Sequence, residues 1–387
     1  MVRFGVIGYG KQGQLYSSIL SGTPHWGGAT VERPKDCVLT AISARNESCR
    51  AQIEALPNVR YFGDWRELIA SDVCDAVVIT VPHFHHHEIA IAAIEAGKHV
   101  LCEKPMTIRA SDGETIVSAL AKHPETKAAM MLNQRTNPLL RKIKELIDSK
   151  ELGEMRNCYY MNNNWWRPDN YYAESQWRGT WSGEGGGILV NQACHPLDLW
   201  IWLCGMPASV YAQCLEGVFR SITVDNDIMA MVSYADGKQG IFTACAHDLI
   251  GTDRLEIAFD KGKIILEGNG KATILRYEHT EQEFGDRFDF RTFSGMLAKS
   301  PGKVYSREEL TAQTVFGHDY VAIFENFADC ILRGAQPIAS IEDGLAQVEL
   351  ANAIQLSGWT GQSVLLPCNA ARYNGYLDEK IREETRQ

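Results

Sequence analysis

Lys104 and His195 are the side chains whose types and settings are best suited to chemistry in this sequence. Lys104 sits in Glu103-Lys104-Pro105, directly after the short apolar run His99 to Cys102. Open α/β sheets bind ligands beyond the carboxyl ends of their strands, so a lysine there can reach a cofactor edge and a substrate hydroxyl. Pro105 restrains the backbone and makes the bond before it a candidate for the cis form. His195 lies in Gly185-Gly186-Gly187-Ile-Leu-Val-Asn191-Gln192-Ala-Cys-His195-Pro-Leu-Asp198, which runs on into an apolar stretch ending at Cys204. On a helix through this segment Asn191, His195 and Asp198 recur at i, i+4 and i+7 and share a face. Polar groups on an apolar helix need partners, and a bound polyol would supply some of them. A neutral imidazole is a natural acceptor for an alcohol proton as a hydride leaves. A core histidine bonded to backbone is the plainer reading of His195; Asp198 beside it favours a functional one.

A departing hydride needs an acceptor, and the elements around these residues offer a place for one. Gly8-Tyr9-Gly10-Lys11-Gln12-Gly13 follows a strand pattern (Phe4 to Gly8) and opens a helical one (Gln12 to Leu20). In that context the three glycines allow a tight turn, a close approach to a pyrophosphate, and close helix–strand packing. The second strand ends in Ser43-Ala44-Arg45, with Ala44 where a ribose-reading carboxylate is expected. Without that carboxylate, and with Arg45 adjacent, the cofactor is NAD or NADP with a lean to NADP or dual use. Pro82-His83-Phe-His85-His86-His87 follows the strand-like run Ala76 to Val81. Adjacent histidines on an extended turn diverge, and no zinc-like ligand spacing completes them, so no metal is expected. Pro82, His83 and His86 are assigned to the cofactor side instead.

The first third alternates apolar runs with helical patterns, which predicts a doubly wound parallel sheet in an α/β Rossmann domain over residues 1–132. The stretch from Gly22 to Lys35 reads as an inserted surface loop. After Asn133 come a helix (Pro138 to Ser149), a segment rich in Trp, Tyr, Asn and Arg, the glycine–histidine helix, and a series of strand-like runs up to Tyr277. Two closing helices, Asp319 to Arg333 and Ile341 to Gly358, complete the reading. Residues 133–387 are therefore expected to form an α+β domain with a large, mostly antiparallel open sheet. The formal net charge of −10 argues against a nucleic-acid partner. Eleven cysteines without a CxxC pair fit reduced thiols. Met1 to Ile7 runs straight into a strand pattern and no apolar run reaches membrane-spanning length, so a cytoplasmic protein is expected.

Together these segments resemble the glucose–fructose oxidoreductase / inositol dehydrogenase / rhizopine catabolism family. The resemblance rests on Gly8-x-Gly10-x-x-Gly13, Pro82-x-x-x-His86, Gly97-Lys-His-Val leading into Glu103-Lys104-Pro105, Asn133-Gln134-Arg135, and the glycine run through Asn191, His195 and Asp198. It implies an NAD(P)-dependent oxidoreductase acting on a hydroxyl carbon of a sugar, glycoside or polyol. Lys104 would hold and polarise the reacting oxygen, His195 would be the general acid/base, and Asp198 would bond or orient the substrate. Glu103 and Asn133 would join the cofactor residues. Many relatives carry Asp where this chain has Asn191. Arg135, Trp165, Arg167, Tyr171, Tyr172, Trp177 and Arg178 resemble substrate-side residues of sugar-acting members, although Trp, Tyr and Arg also favour oligomer contacts. A homodimer or homotetramer through the second sheet is implied. Two other readings stay open: a glycosidase that uses tightly held NAD transiently to oxidise a ring carbon, and a non-catalytic nucleotide-binding regulator.

Overall fold

The computed structural model describes residues 1–24, 31–313 and 315–386. Residues 25–30 of the Gly22–Lys35 loop expected as an insertion lie outside the described residues. Six strands form the first sheet: β1 (Val2–Ile7), β2 (Cys37–Ser43), β3 (Arg60–Phe62), β4 (Ala76–Ile79), β5 (His99–Cys102) and β6 (Ala128–Met130). All pairs are parallel and the order is β3-β2-β1-β4-β5-β6. Helices cover both faces, which is why β4 reads as an unbroken apolar run with every residue buried. The strand order reverses between β1 and β4, so the glycine loop after β1 and the turn after β4 both open onto the switch point.

The second sheet has nine strands: β7 (Met155–Asn162), β8 (Ser209–Glu216), β9 (Asp225–Ser233), β10 (Gln239–Cys245), β11 (Asp253–Phe259), β12 (Gly262–Glu267), β13 (Lys271–Tyr277), β14 (Tyr305–Thr311) and β15 (Val364–Leu365). Their order is β14-β13-β12-β11-β7-β10-β9-β8-β15, and only β7 and β10 run parallel. One face packs on the helices Cys194–Cys204 and Ile341–Thr360 around Trp200, Phe242 and Ile354. The other face exposes Tyr159, Met161, Tyr211, Met229, Met231 and Ile241. Ile241 pairs with Tyr159 and Met231, and Met231 with Tyr211, so this apolar surface is continuous across four strands.

The chain does not part cleanly at residue 133. The helix His318–Arg333 returns to the first sheet, where Phe324 and Phe327 lie 5.6 and 6.4 Å from the ring of Phe4. The helix Ile341–Thr360 begins in the Rossmann core with Ile341 and Val348 and ends in the second core with Leu350 to Leu356. Periodicity marks His318–Arg333 as amphipathic, whereas Ile341–Thr360 is buried along most of its length and has no broad polar face; neither pattern says which sheet receives the helix. A further helix, Ala370–Glu384, follows the two expected at the end and buries Tyr373 and Leu377. Its sequence is mostly polar, which hid it. Two short helices, Glu281–Arg287 and Phe290–Lys299, and the edge strand β14 were also not anticipated. Charges on β14 mask its strand pattern in the way edge strands commonly do.

Candidate active site

Strand β5 delivers Glu103 and Lys104 to the switch point, and the Lys104–Pro105 peptide is cis. The Glu103 carboxylate is already engaged: it accepts hydrogen bonds from the Tyr16 hydroxyl, from Gln12 Nε2 at 3.3 Å and from the Lys104 amide at 2.9 Å. Lys104 Nζ donates to the Asn191 carbonyl at 2.9 Å and to Asn191 Oδ1 at 3.3 Å. Burial disfavours its ammonium, but Cys194, Glu103 and Tyr171 around it outweigh that and hold its pKa above the ordinary lysine value. Lys104 is charged at neutral pH.

The helix that carries His195 starts at Cys194, so Asn191 lies in the turn before it and the three polar residues do not share one helical face. The glycines explain the early turn. Gly185 and Gly186 have φ of +80° and +151°, and a Cβ on Gly187 would lie 1.9 Å from the Asp225 carbonyl oxygen. This chain segment is pressed against β9 in a shape that precludes a continuous helix. His195 is pushed down to about 3, by burial first and by the Lys104 charge second, so its imidazole is neutral. Its Nδ1 is buried with no hydrogen-bond partner among the described residues.

Glu184 is the site residue that sequence reasoning missed. Its carboxylate accepts from the Gly179 amide at 2.7 Å and from Asn191 Nδ2 at 2.5 Å, while its carbonyl bonds His83 Nδ1 at 3.2 Å. Asn191 thus turns its oxygen to the Lys104 ammonium and its amide to the Glu184 carboxylate. Burial pushes Glu184 up to about 7 against the pull of Gly179, Asn191 and Arg178. A lone carboxylate directly before three glycines was the available signal.

Two cavities meet here. One, of about 1050 Å³, is lined by Gly8, Tyr9, Gly10, Lys11, Gln12, Ser43, Ala44, Arg45, Pro82, His83, His86, Trp177 and Arg178. The other, of about 370 Å³, is lined by Met131, Asn133, Gln134, Trp165, Arg167, Gln192, His195 and Tyr320. Gln12, Glu103, Lys104, Tyr171 and Asn191 border both. The larger cavity fits a dinucleotide. A Cβ on Gly10 would meet nothing within 4 Å, leaving the backbone open to a ligand, whereas one on Gly13 would lie 2.1 Å from the Gly8 carbonyl oxygen. Gly10 also caps the helix Lys11–Ser21 without a side-chain hydrogen bond, so its first amides are free to face an anion.

Several expected site residues sit elsewhere. Asp198 and Arg135 line neither cavity. Arg135 donates to both Asp198 oxygens, at 2.9 and 2.6 Å, and pairs with Asp343 at 2.9 Å. Asp198 stays out of the smaller cavity because this arginine, brought in from the interdomain segment, captures it; burial raises it to about 6 even so. Tyr172 is buried behind Tyr171, with ring centroids 5.2 Å apart. Trp177 and Arg178 border the larger cavity and not the smaller one, and Trp177 packs its ring on His83 at 5.5 Å. Asn133 lines the smaller cavity and not the larger one, with Nδ2 donating to Asp319. Gly13 packs against the loop and lines neither cavity. The clustered histidines go separate ways: His83 to Glu184, His86 to the Pro105 and Val81 carbonyls, His85 to Glu88 and His87 to Thr115.

A dinucleotide cleft at a Rossmann switch point, opening onto a smaller polar cavity with a charged lysine and a neutral histidine, defines an oxidoreductase of the nicotinamide type. Family models place it further. The oxidoreductase family with an NAD-binding Rossmann fold matches residues 2–130, and the GFO/IDH/MocA C-terminal domain matches residues 140–265. The chain belongs to the GFO/IDH/MocA family. It is 26% identical over 368 residues to a scyllo-inositol 2-dehydrogenase (NADP(+)) of Bacillus subtilis, covering 94% of this chain and 96% of the relative. It is 25% identical over 359 residues to an inositol 2-dehydrogenase of Rhizobium meliloti, covering 91% and 95%. Its fold matches that of a levoglucosan dehydrogenase solved with NADH and levoglucosan, with a TM-score of 0.76, 21% identity and coverage of 95% and 99%. It also matches the WlbA dehydrogenase of Bordetella pertussis solved with NADH and UDP-GlcNAcA, with a TM-score of 0.74, 24% identity and the same coverage.

Proposed function

We propose that this enzyme is an NAD(P)-dependent dehydrogenase of a sugar or polyol, with Lys104 holding the reacting oxygen and His195 exchanging its proton. The observation that carries this reading is the position of Lys104. Its ammonium stands on the border shared by the dinucleotide cleft and the smaller cavity. When bound, the nicotinamide supplies the hydride acceptor or donor. The chain supplies the rest. Lys104, charged and steered by the Asn191 carbonyl and amide oxygens, stabilises negative charge as it develops on the carbinol oxygen. His195, neutral and lining the same cavity, takes the hydroxyl proton in oxidation and returns it in reduction. The relatives named for inositol, scyllo-inositol and levoglucosan make a cyclic polyol or sugar the substrate class to try first.

The adenosine end of the cleft is lined by Ser43, Ala44 and Arg45 with no carboxylate at the end of β2, which favours NADP or dual use. The exposed apolar face of the second sheet is the surface through which a homodimer or homotetramer would form. Among the described residues no helix is long and apolar enough to cross a membrane.

The test is NADH or NADPH fluorescence on mixing with inositols and monosaccharides. Net reduction of added cofactor is expected, with Lys104→Ala and His195→Ala each lowering kcat by about 100-fold or more while cofactor still binds. Full activity in either variant would refute its role. Release of an aglycone from glycosides without net reduction would replace the dehydrogenase with the glycosidase reading.

A further inference from the structure

The smaller cavity holds a second cation that the hydride and proton chemistry leaves unused. Its charged lining is Glu103, Lys104 and Arg167. Glu103 is engaged by Tyr16, Gln12 and the Lys104 amide, and Lys104 is committed to the reacting oxygen. Arg167 is then the free charge. Among the described residues it makes no ion pair. Its NH1 donates to the Trp166 carbonyl at 3.0 Å, and its Nε is buried without any hydrogen-bond partner. Its guanidinium lies 5.7 Å from the Trp165 ring centroid and 5.0 Å from that of Tyr171. Those rings are themselves fixed: Trp165 Nε1 donates to Asn162 Oδ1, and the Tyr171 hydroxyl accepts from Gln192 Nε2 at 3.2 Å. Arg178 shares the Tyr171 ring, 4.4 Å from its centroid, and its Nε is likewise buried and unpartnered. Arg178 has Glu174 as a counter-charge at 3.2 Å; Arg167 has none. Stacking on rings orients a guanidinium but leaves its donor edge open, and a held, unpaired arginine in a cavity is suited to an oxyanion. The surrounding protein carries a net charge of −10, so the cationic cavity is a local feature and not a consequence of overall charge.

We propose that the substrate is a sugar bearing an oxyanion, a carboxylate or a phosphate, which seats on Arg167 while its reacting hydroxyl faces Lys104 and His195. The hydroxyl part rests on the dehydrogenase reading; the oxyanion seat does not. Lys104 then engages the carbinol oxygen and Arg167 a second point, which fixes the ring in one pose.

Calorimetric titration of the enzyme–NADH complex with matched pairs tests this. The pairs are D-glucuronate against D-glucose, D-galacturonate against D-galactose, and D-glucose 6-phosphate against D-glucose. At least one oxyanion is expected to bind about 10- to 100-fold tighter than its neutral partner, the range of a charge-assisted hydrogen bond. Raised salt should weaken that preference. In Arg167→Gln the preference should fall to within about threefold, and Arg167→Lys, which keeps the charge without the fork, should recover part of it. Success with the uronates alone identifies a carboxylate, and success with the phosphate alone a phosphoryl group. The proposal is overturned if no oxyanion outbinds its neutral partner, or if Arg167→Gln, folded by its circular dichroism, keeps the preference. Discriminating binding without any cofactor reduction would leave the oxyanion seat standing and remove the dehydrogenase reading.

Discussion

Glu184 should control the pH dependence of this enzyme, and replacing it with glutamine tests the network behind Lys104. Its two carboxylate oxygens accept from two donors, the Gly179 amide and Asn191 Nδ2. A protonated carboxyl, or the amide of glutamine, has only one accepting end. The other end then meets a donor, or Asn191 flips and presents its own NH2 group to the Lys104 ammonium. With the flip, Lys104 loses Asn191 Oδ1 as an acceptor and keeps the Asn191 carbonyl. Burial opposes the charge that this geometry requires, and pushes Glu184 from 4.5 up to about 7. Carrying the ionised group costs the fold about 3 kcal/mol, from 1.36 kcal/mol for each pH decade. The sign is definite. Below the ordinary value Glu184 is protonated in folded and unfolded chain alike, and nothing is lost. As pH rises from 4.5 through about 7 the folded state gives up that stability. Activity should move the opposite way, rising as pH passes about 7 and levelling above it. His195, held near 3, does not titrate in this range, and Asp198, near 6, titrates lower. In Glu184→Gln, kcat should fall about 10- to 100-fold at pH 8 and lose its acid limb near 7. Urea unfolding at pH 5 and pH 8 should show wild-type stability falling relative to the variant. An unchanged acid limb in Glu184→Gln, or no relative loss of stability between those pH values, would refute the reasoning.

Three further outcomes are expected. Gly13→Ala places a methyl 2.1 Å from the Gly8 carbonyl oxygen; it should weaken NADH binding by at least about tenfold and lower the melting temperature, read by fluorescence titration and thermal unfolding. Asp198→Ala strips the bidentate partner from buried Arg135 and should cost about 3 kcal/mol or more in urea unfolding; loss of activity with full stability would instead restore Asp198 to the chemistry. Met231→Glu puts a charge at the centre of the exposed sheet face, beside Ile241 and Tyr211; light scattering should show a smaller particle than the wild type, and an unchanged mass would place any assembly elsewhere.

How much of this was legible in the sequence differs by scale. The parallel sheet was readable because doubly buried strands appear as continuous apolar runs, and the glycine loop because its spacing sits between a strand and a helix. Lys104 was locatable from its place after β5. Short local patterns carry such features with them. Glu184 was not found, since a carboxylate in a glycine-rich run reads as a loop charge until folding buries it against Gly179 and Asn191.

Local sequence segments determined which groups are available: a lysine at a strand end, a histidine at a helix start, and arginines among aromatic rings. Only the tertiary structure decided which of them face the cavity. Asp198 has the right spacing from His195 and still turns away, because Arg135, 63 residues distant in sequence, reaches it first. Arg167 and Arg178 look equivalent along the chain, yet Arg178 finds Glu174 and Arg167 finds no counter-charge among the described residues. The helix His318–Arg333 covers a sheet whose first strand begins at Val2. Spacing along the chain sets which side chains can share a face, but burial and long-range partners set which of those side chains remain free to act.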